Sequence, residues 1–162
     1  MKTKYLIITL FFISIISCKK ETKNDIINNS EITNTIKNGD FCYQYIIENS
    51  YKIKDSIIIE NDFINISLTL NNNNVIGNYK LTSKNEVPIN GTFKGKLKNN
   101  IITSIHTYKR DSIISKDELI LKVENNQLSI LGGEKELING VNMFINKDNG
   151  EYILNLNKIN CN

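Results

Sequence analysis

His106 is the only histidine in this 162-residue chain, so a histidine-rich metal site is excluded from the start. A Ser-His-Asp relay would have to run through this one residue, which lies inside a β-like run with polar neighbours. A lone histidine there reads as a surface or core-edge residue before it reads as a base. Asp117 and Glu118 are adjacent, and adjacent residues of a strand point to opposite faces, so they do not form an acid/base couple. Lys109, Arg110 and Lys116, near Asp111 and Asp117, read as a solvated loop. The fragment Asp148-Asn149-Gly150 with Tyr152 beyond is too short for a calcium loop. The three cysteines, Cys18, Cys42 and Cys161, contain no Cys-x-x-Cys pair, which argues against redox catalysis. The expected function is therefore non-enzymatic, with no cofactor and no metal.

The formal charge is +3, and near-neutral charge carries no footprint for nucleic acid. Lys2 and Lys4 precede an apolar run over residues 5–16, which is short for a bilayer span and right for a signal core. Ile15-Ile16-Ser17-Cys18 follows: a branched apolar residue three before the cysteine, a small residue next to it, then the thiol. This resembles the lipobox of bacterial lipoproteins. The resemblance implies cleavage after residue 17, palmitate-type acylation at Cys18, and an outer-membrane address in the cell envelope, with the periplasmic or surface-facing side left open. Residues 18–40 are polar and charged with scattered isoleucines, the composition of a flexible tether. A short helix over 26–36 is the alternative. Assigning Cys18 to lipid leaves Cys42 and Cys161, and an even remainder in an oxidising compartment is expected to pair. A buried pair of thiols is the other reading.

The positioning elements are strands. Residues 41–47 form a β-prone run, 48–54 a turn or poor strand, and 55–60 a short strand. Ile64, Ile66, Leu68 and Leu70 then alternate cleanly with polar residues, and residues 71–74, all asparagine, make the turn. Val75, Gly77, Tyr79 and Leu81 share the inward face of the return, and Ile89, Gly91, Phe93, Gly95 and Leu97 that of the strand after Pro88. Residues 101–108 admit two registers. The one placing Ile101, Thr103, Ile105 and Thr107 inward is favoured, because it leaves His106 in solvent. A polar connection covers 110–115, and strands are expected near 119–123 and 128–130. Two final strands, 141–145 and 152–156, flank the Asn149-Gly150 turn. The fold class expected for residues 41–162 is a single all-β domain, an antiparallel meander closing into a small up-and-down, lipocalin-like barrel or a curved sandwich. An α+β domain with one short helix near 133–139 is the alternative.

Glycines flanking Phe93 on one face suit a coiled strand relieved for packing, or a wall thinned for a ligand. On the second reading Leu68, Tyr79, Gly91, Phe93, Gly95 and Leu121 line the ligand site. The order Cys42-Tyr43-x-Tyr45, Val75-x-Gly77-x-Tyr79, Gly91-Thr92-x-x-Gly95, Ser115-x-x-Glu118-Leu119, Gly133-Glu134 and a terminal Cys161 resembles a set of small uncharacterised lipoproteins of Flavobacteria and relatives. That group carries an aromatic where His106 stands and an arginine at the place of Asp117, so neither residue inherits a role. The expected function is a membrane-anchored β domain that binds a small or lipid-like hydrophobic molecule or an envelope protein. A solid structural, assembly or inhibitor module is the alternative, and an enzyme comes last.

Overall fold

The computed structural model describes residues 36–84 and 87–161. The expected signal, Cys18, the alternative helix up to residue 35 and most of the tether lie outside them. Ten strands follow in order: β1 (Gly39–Ile53), β2 (Ser56–Asn71), β3 (Asn74–Thr82), β4 (Ile89–Lys98), β5 (Ile101–Arg110), β6 (Ile113–Val123), β7 (Gln127–Gly132), β8 (Lys135–Ile138), β9 (Val141–Phe144) and β10 (Glu151–Ile159). The described residues contain no helix. β1 starts two residues ahead of the boundary expected at 41, and Ile36 already packs against the core.

Each of the first six strands pairs with the next, β10 pairs with β7 and β1, and the ring is closed. This is an eight-stranded antiparallel up-and-down barrel with a β8–β9 hairpin laid against β6 through the parallel pair Asp117↔Asn142. Closure removes the edges that an open sheet would expose. The seam is short, with only Cys42 to Gln44 in register with β10. The Cys42–Cys161 disulfide spans that seam.

Antiparallel order divides the molecule into two poles. At the disulfide pole the β2–β3 and β4–β5 turns are Asn72–Asn73 and Asn99–Asn100, all with positive φ, between 47° and 66°. Asparagine supplies that left-handed backbone at low cost, and such paired residues match the twist of two-residue hairpins. Tyr43, Ile66, Phe93, Ile102, Leu121, Leu128 and Leu156 fill the interior with almost no exposure. The opposite pole carries the tips of β1–β2, β5–β6 and β8–β9 and the loop between β3 and β4. There the β1–β2 hairpin runs past the barrel. Residues 56–62 of β2 have no partner in β3, and 47–53 of β1 have none in β10, so the two strands form a free two-stranded arm.

Several local expectations change. Of the two readings for 48–54, strand holds as far as Ile53, and the short strand expected over 55–60 runs on unbroken to Asn71, the hairpin turning at Lys54–Asp55. The polar connection over 110–115 shrinks to a two-residue turn at Asp111–Ser112, with Ile113 already in β6. The segment near 133–139 is strand, and its Asn139–Gly140 step, both at positive φ, is the hairpin turn. The expected hairpin around Asn149-Gly150 does not form: β9 pairs with β8 and β6, whereas β10 joins the barrel.

Candidate functional site

The inward face of β5 is Ile102, Ser104 and His106, the reverse of the favoured register. The cross-strand pairs explain why. Gly95 stands opposite Ser104, Phe93 opposite His106 and Gly91 opposite Tyr108, and residues directly opposite share a face. A Cβ on Gly91 would collide with His106 Nε2 and the Thr107 carbonyl, and one on Gly95 with Ser104 and the Thr103 carbonyl. The glycines are therefore the room into which the small and aromatic side chains of β5 pack, and the packing reading of the glycine strand prevails.

His106 is 5% exposed, and its Nε2 has no hydrogen-bond partner. Tyr108 stacks on the imidazole at 4.9 Å with 22° between planes, and Tyr79 meets it tilted at 5.0 Å. Burial holds the imidazole below its ordinary pKa. Asp117 opposes that shift, and the Lys135 ammonium adds to it. The ring is thus neutral at pH 7.

Asp117 faces His106 across the β5–β6 ladder. Its Oδ1 accepts from Asn142 Nδ2 at 2.6 Å and its Oδ2 from the Tyr108 hydroxyl at 3.2 Å. Both donors are neutral groups, a phenol hydroxyl and a side-chain amide. Burial raises the pKa of Tyr108, and Asp117 raises it further. Glu118 points the other way, as strand geometry requires. It is 1% exposed, pairs with Lys147 at 2.7 Å through Oε1, and accepts the Phe144 N–H at 3.2 Å through Oε2. It anchors the β8–β9 hairpin over a small outer core of Ile120, Leu131 and Phe144.

Lys135 enters where the barrel wall splits. β7 is in register with β6 only over Leu121 to Val123, which leaves the β6 backbone beyond without that neighbour. Lys135 Nζ donates to the Glu118 carbonyl at 2.8 Å and lies 4.5 Å from the centre of the Phe144 ring. It has no carboxylate in direct contact, and burial lowers its pKa against the opposing influence of Asp117 and Glu118.

These groups surround a cleft of about 180 Å³ in the half of the barrel away from the disulfide. Tyr79, His106, Tyr108, Asp117 and Lys135 form its polar side together with Glu118, whose carboxylate is bound to Lys147, and Ile89, Leu119, Ile130 and Leu154 form its apolar wall. Of the six ligand contacts expected from the sequence, Tyr79 alone lines it. Gly91 and Gly95 are occupied by their β5 neighbours, and Leu121 is sealed in the core. Leu68 and Phe93 border an open groove of about 590 Å³ on the outer wall but are 5% and 1% exposed. Sequence reasoning missed Asp117 and Lys135, and set His106 aside as solvent-facing. The available signal was the glycine pair on β4, which demands bulk from the adjoining strand.

The arrangement offers a neutral imidazole, a carboxylate and an ammonium without a hydroxyl nucleophile at the imidazole. Ser104, the buried hydroxyl on the same face, donates to the Leu119 carbonyl at 2.8 Å. Among the described residues no group of three His, Cys, Asp or Glu side chains is placed to hold a metal ion. The chain matches no family model, no curated protein and no solved structure.

Proposed function

We propose that this chain is a lipid-anchored lipoprotein of the outer membrane whose barrel is a non-enzymatic binding domain for a small polar molecule. The observation that carries the reading is His106 Nε2, a buried polar atom without a partner beside a cleft. An unsatisfied buried group costs roughly 1–3 kcal/mol, and such groups persist where a ligand or water completes them. Size favours the small ligand over a lipid-like one. About 180 Å³ lies below the ~300–1,000 Å³ of drug-sized sites, and the interior beyond it is filled. The lipobox supports the anchor at Cys18, and a chain tethered there enters the barrel at the disulfide pole, away from the cleft.

Native mass spectrometry of the protein extracted gently from its host membrane tests this. A small molecule retained by the wild type and lost in His106→Phe is the expected result. A wild type carrying nothing beyond its lipid anchor overturns the reading.

The protruding arm favours a second reading, an assembly module that docks an envelope protein. Ile53, Ile57 and Ile59 are all more than half exposed there, and exposed apolar patches mark contact sites. A stoichiometric complex in the same spectra, abolished by Ile57→Lys with Ile59→Lys and untouched by His106→Phe, would decide for it.

A further inference from the structure

We infer that the molecule held in the His106 cleft is a small zwitterion of the α-amino-acid type, its ammonium set toward Asp117 and its carboxylate toward Lys135. This rests on the small-ligand reading above and goes further by naming the ligand's chemistry.

Two opposite charges border one cleft without meeting. Asp117 and Lys135 make no direct salt bridge, since Asp117 is held by Tyr108 and Asn142 while Lys135 reaches the Glu118 carbonyl. The Glu118 carboxylate acts on Lys135 only at a distance, since its own hydrogen bonds go to Lys147 and the Phe144 amide. Each of the two therefore keeps hydrogen-bonding capacity for a ligand, because a carboxylate accepts about four hydrogen bonds and an ammonium donates three. A plain anion would be drawn to Lys135 and repelled by Asp117, and a plain cation the reverse. A neutral molecule would leave Asp117 and Lys135 only each other's field across the cleft, with no direct hydrogen bond between them. A zwitterion satisfies both at once. His106 Nε2 then supplies the third polar contact, close to the Gly91 backbone. The volume equals that of about six waters at ~30 Å³ each, which limits the side chain to a short one against Ile89, Leu119, Ile130 and Leu154.

The test is calorimetric titration of the full-length protein in detergent with L-alanine and glycine. Propionate supplies the carboxylate alone, ethylamine the ammonium alone, and propionamide neither charge. L-alanine should bind saturably, with the single-charge and neutral probes weaker by roughly ten- to hundredfold, the factor expected for loss of a charged hydrogen bond. Asp117→Asn should narrow the gap by weakening alanine and strengthening propionate, a change of preference that a merely structural role does not produce. Propionate or propionamide binding as tightly as alanine would overturn the zwitterion while leaving the small-ligand reading intact. Binding of none of the five probes by the wild type would also overturn it, and native mass spectrometry then judges the small-ligand reading separately.

Discussion

The two poles of this barrel are built from the same strands and obey different rules. Toward the disulfide, alternation is strict. Inward positions are mostly large and apolar, with Gly77, Gly95 and Ser104 the small exceptions that neighbouring bulk fills. Two of the turns are asparagine pairs, and the closing seam is stapled by Cys42–Cys161. Toward the other pole the inward positions become His106, Tyr79, Tyr108 and Asp117. There the wall parts between β6 and β7, and hairpin tips carry exposed isoleucines. One half spends its sequence on stability, and the other keeps polar groups whose burial opposes it.

That contrast can be broken most forcefully in the solid half. Phe93→Ala should cost about 3–5 kcal/mol, the range for emptying a packed aromatic site, read as a lowered denaturant midpoint at unchanged slope. Replacing Cys42 and Cys161 together by alanine should cost about 2–5 kcal/mol, since the bridge closes a loop across a sequence separation of 119 residues. A change below ~1 kcal/mol in either would mean the half is not the stabilising one.

In the cleft the expected effects are smaller. His106→Phe should shift stability by no more than about 1 kcal/mol in either direction, because it removes an unpartnered nitrogen along with the ring. The pH dependence sharpens the point. The folded imidazole pKa lies below its ordinary value of about 6.5, so the unfolded chain takes up the proton first. Stability is unpenalised above that value and falls as pH drops through it, until the folded ring also protonates. This component of the acid loss should be absent in His106→Phe, measured as the difference between the two denaturation curves across pH 7 to 5. The smallest effect belongs to the arm: Ile57→Thr should change stability by less than ~0.5 kcal/mol, as an exposed side chain does.

The barrel itself was legible because its inward faces are buried, and burial imposes the period of two that a reader can count. Val75, Tyr79, Phe93 and Leu97 could be placed from alternation alone. The arm was not legible for the converse reason. Ile57 and Ile59 are exposed and Ile58 is only half-buried beside Glu60 and Asp62, so neither face of the ribbon is buried deeply enough to impose an apolar alternation. β8 was hidden likewise, since all four of its residues are exposed. The register of β5 was misread because burying a histidine opposes the usual partition, and the glycines opposite carried the correction. The cleft needed the topology. Lys135 reaches Asp117's neighbourhood only because the β8–β9 hairpin folds back along β6, which no local pattern encodes.

The central claim, a ligand cleft at one pole of an otherwise solid barrel, meets its most direct test at the imidazole. Because His106 is the single histidine, its ring nitrogens give one unambiguous set of NMR signals in the untagged full-length protein in detergent. The account predicts a neutral ring that resists protonation below pH 6.5 and whose Nε2 signal moves saturably when a small-molecule extract of the host is added. A ring that titrates like free histidine and ignores every fraction of that extract would contradict it.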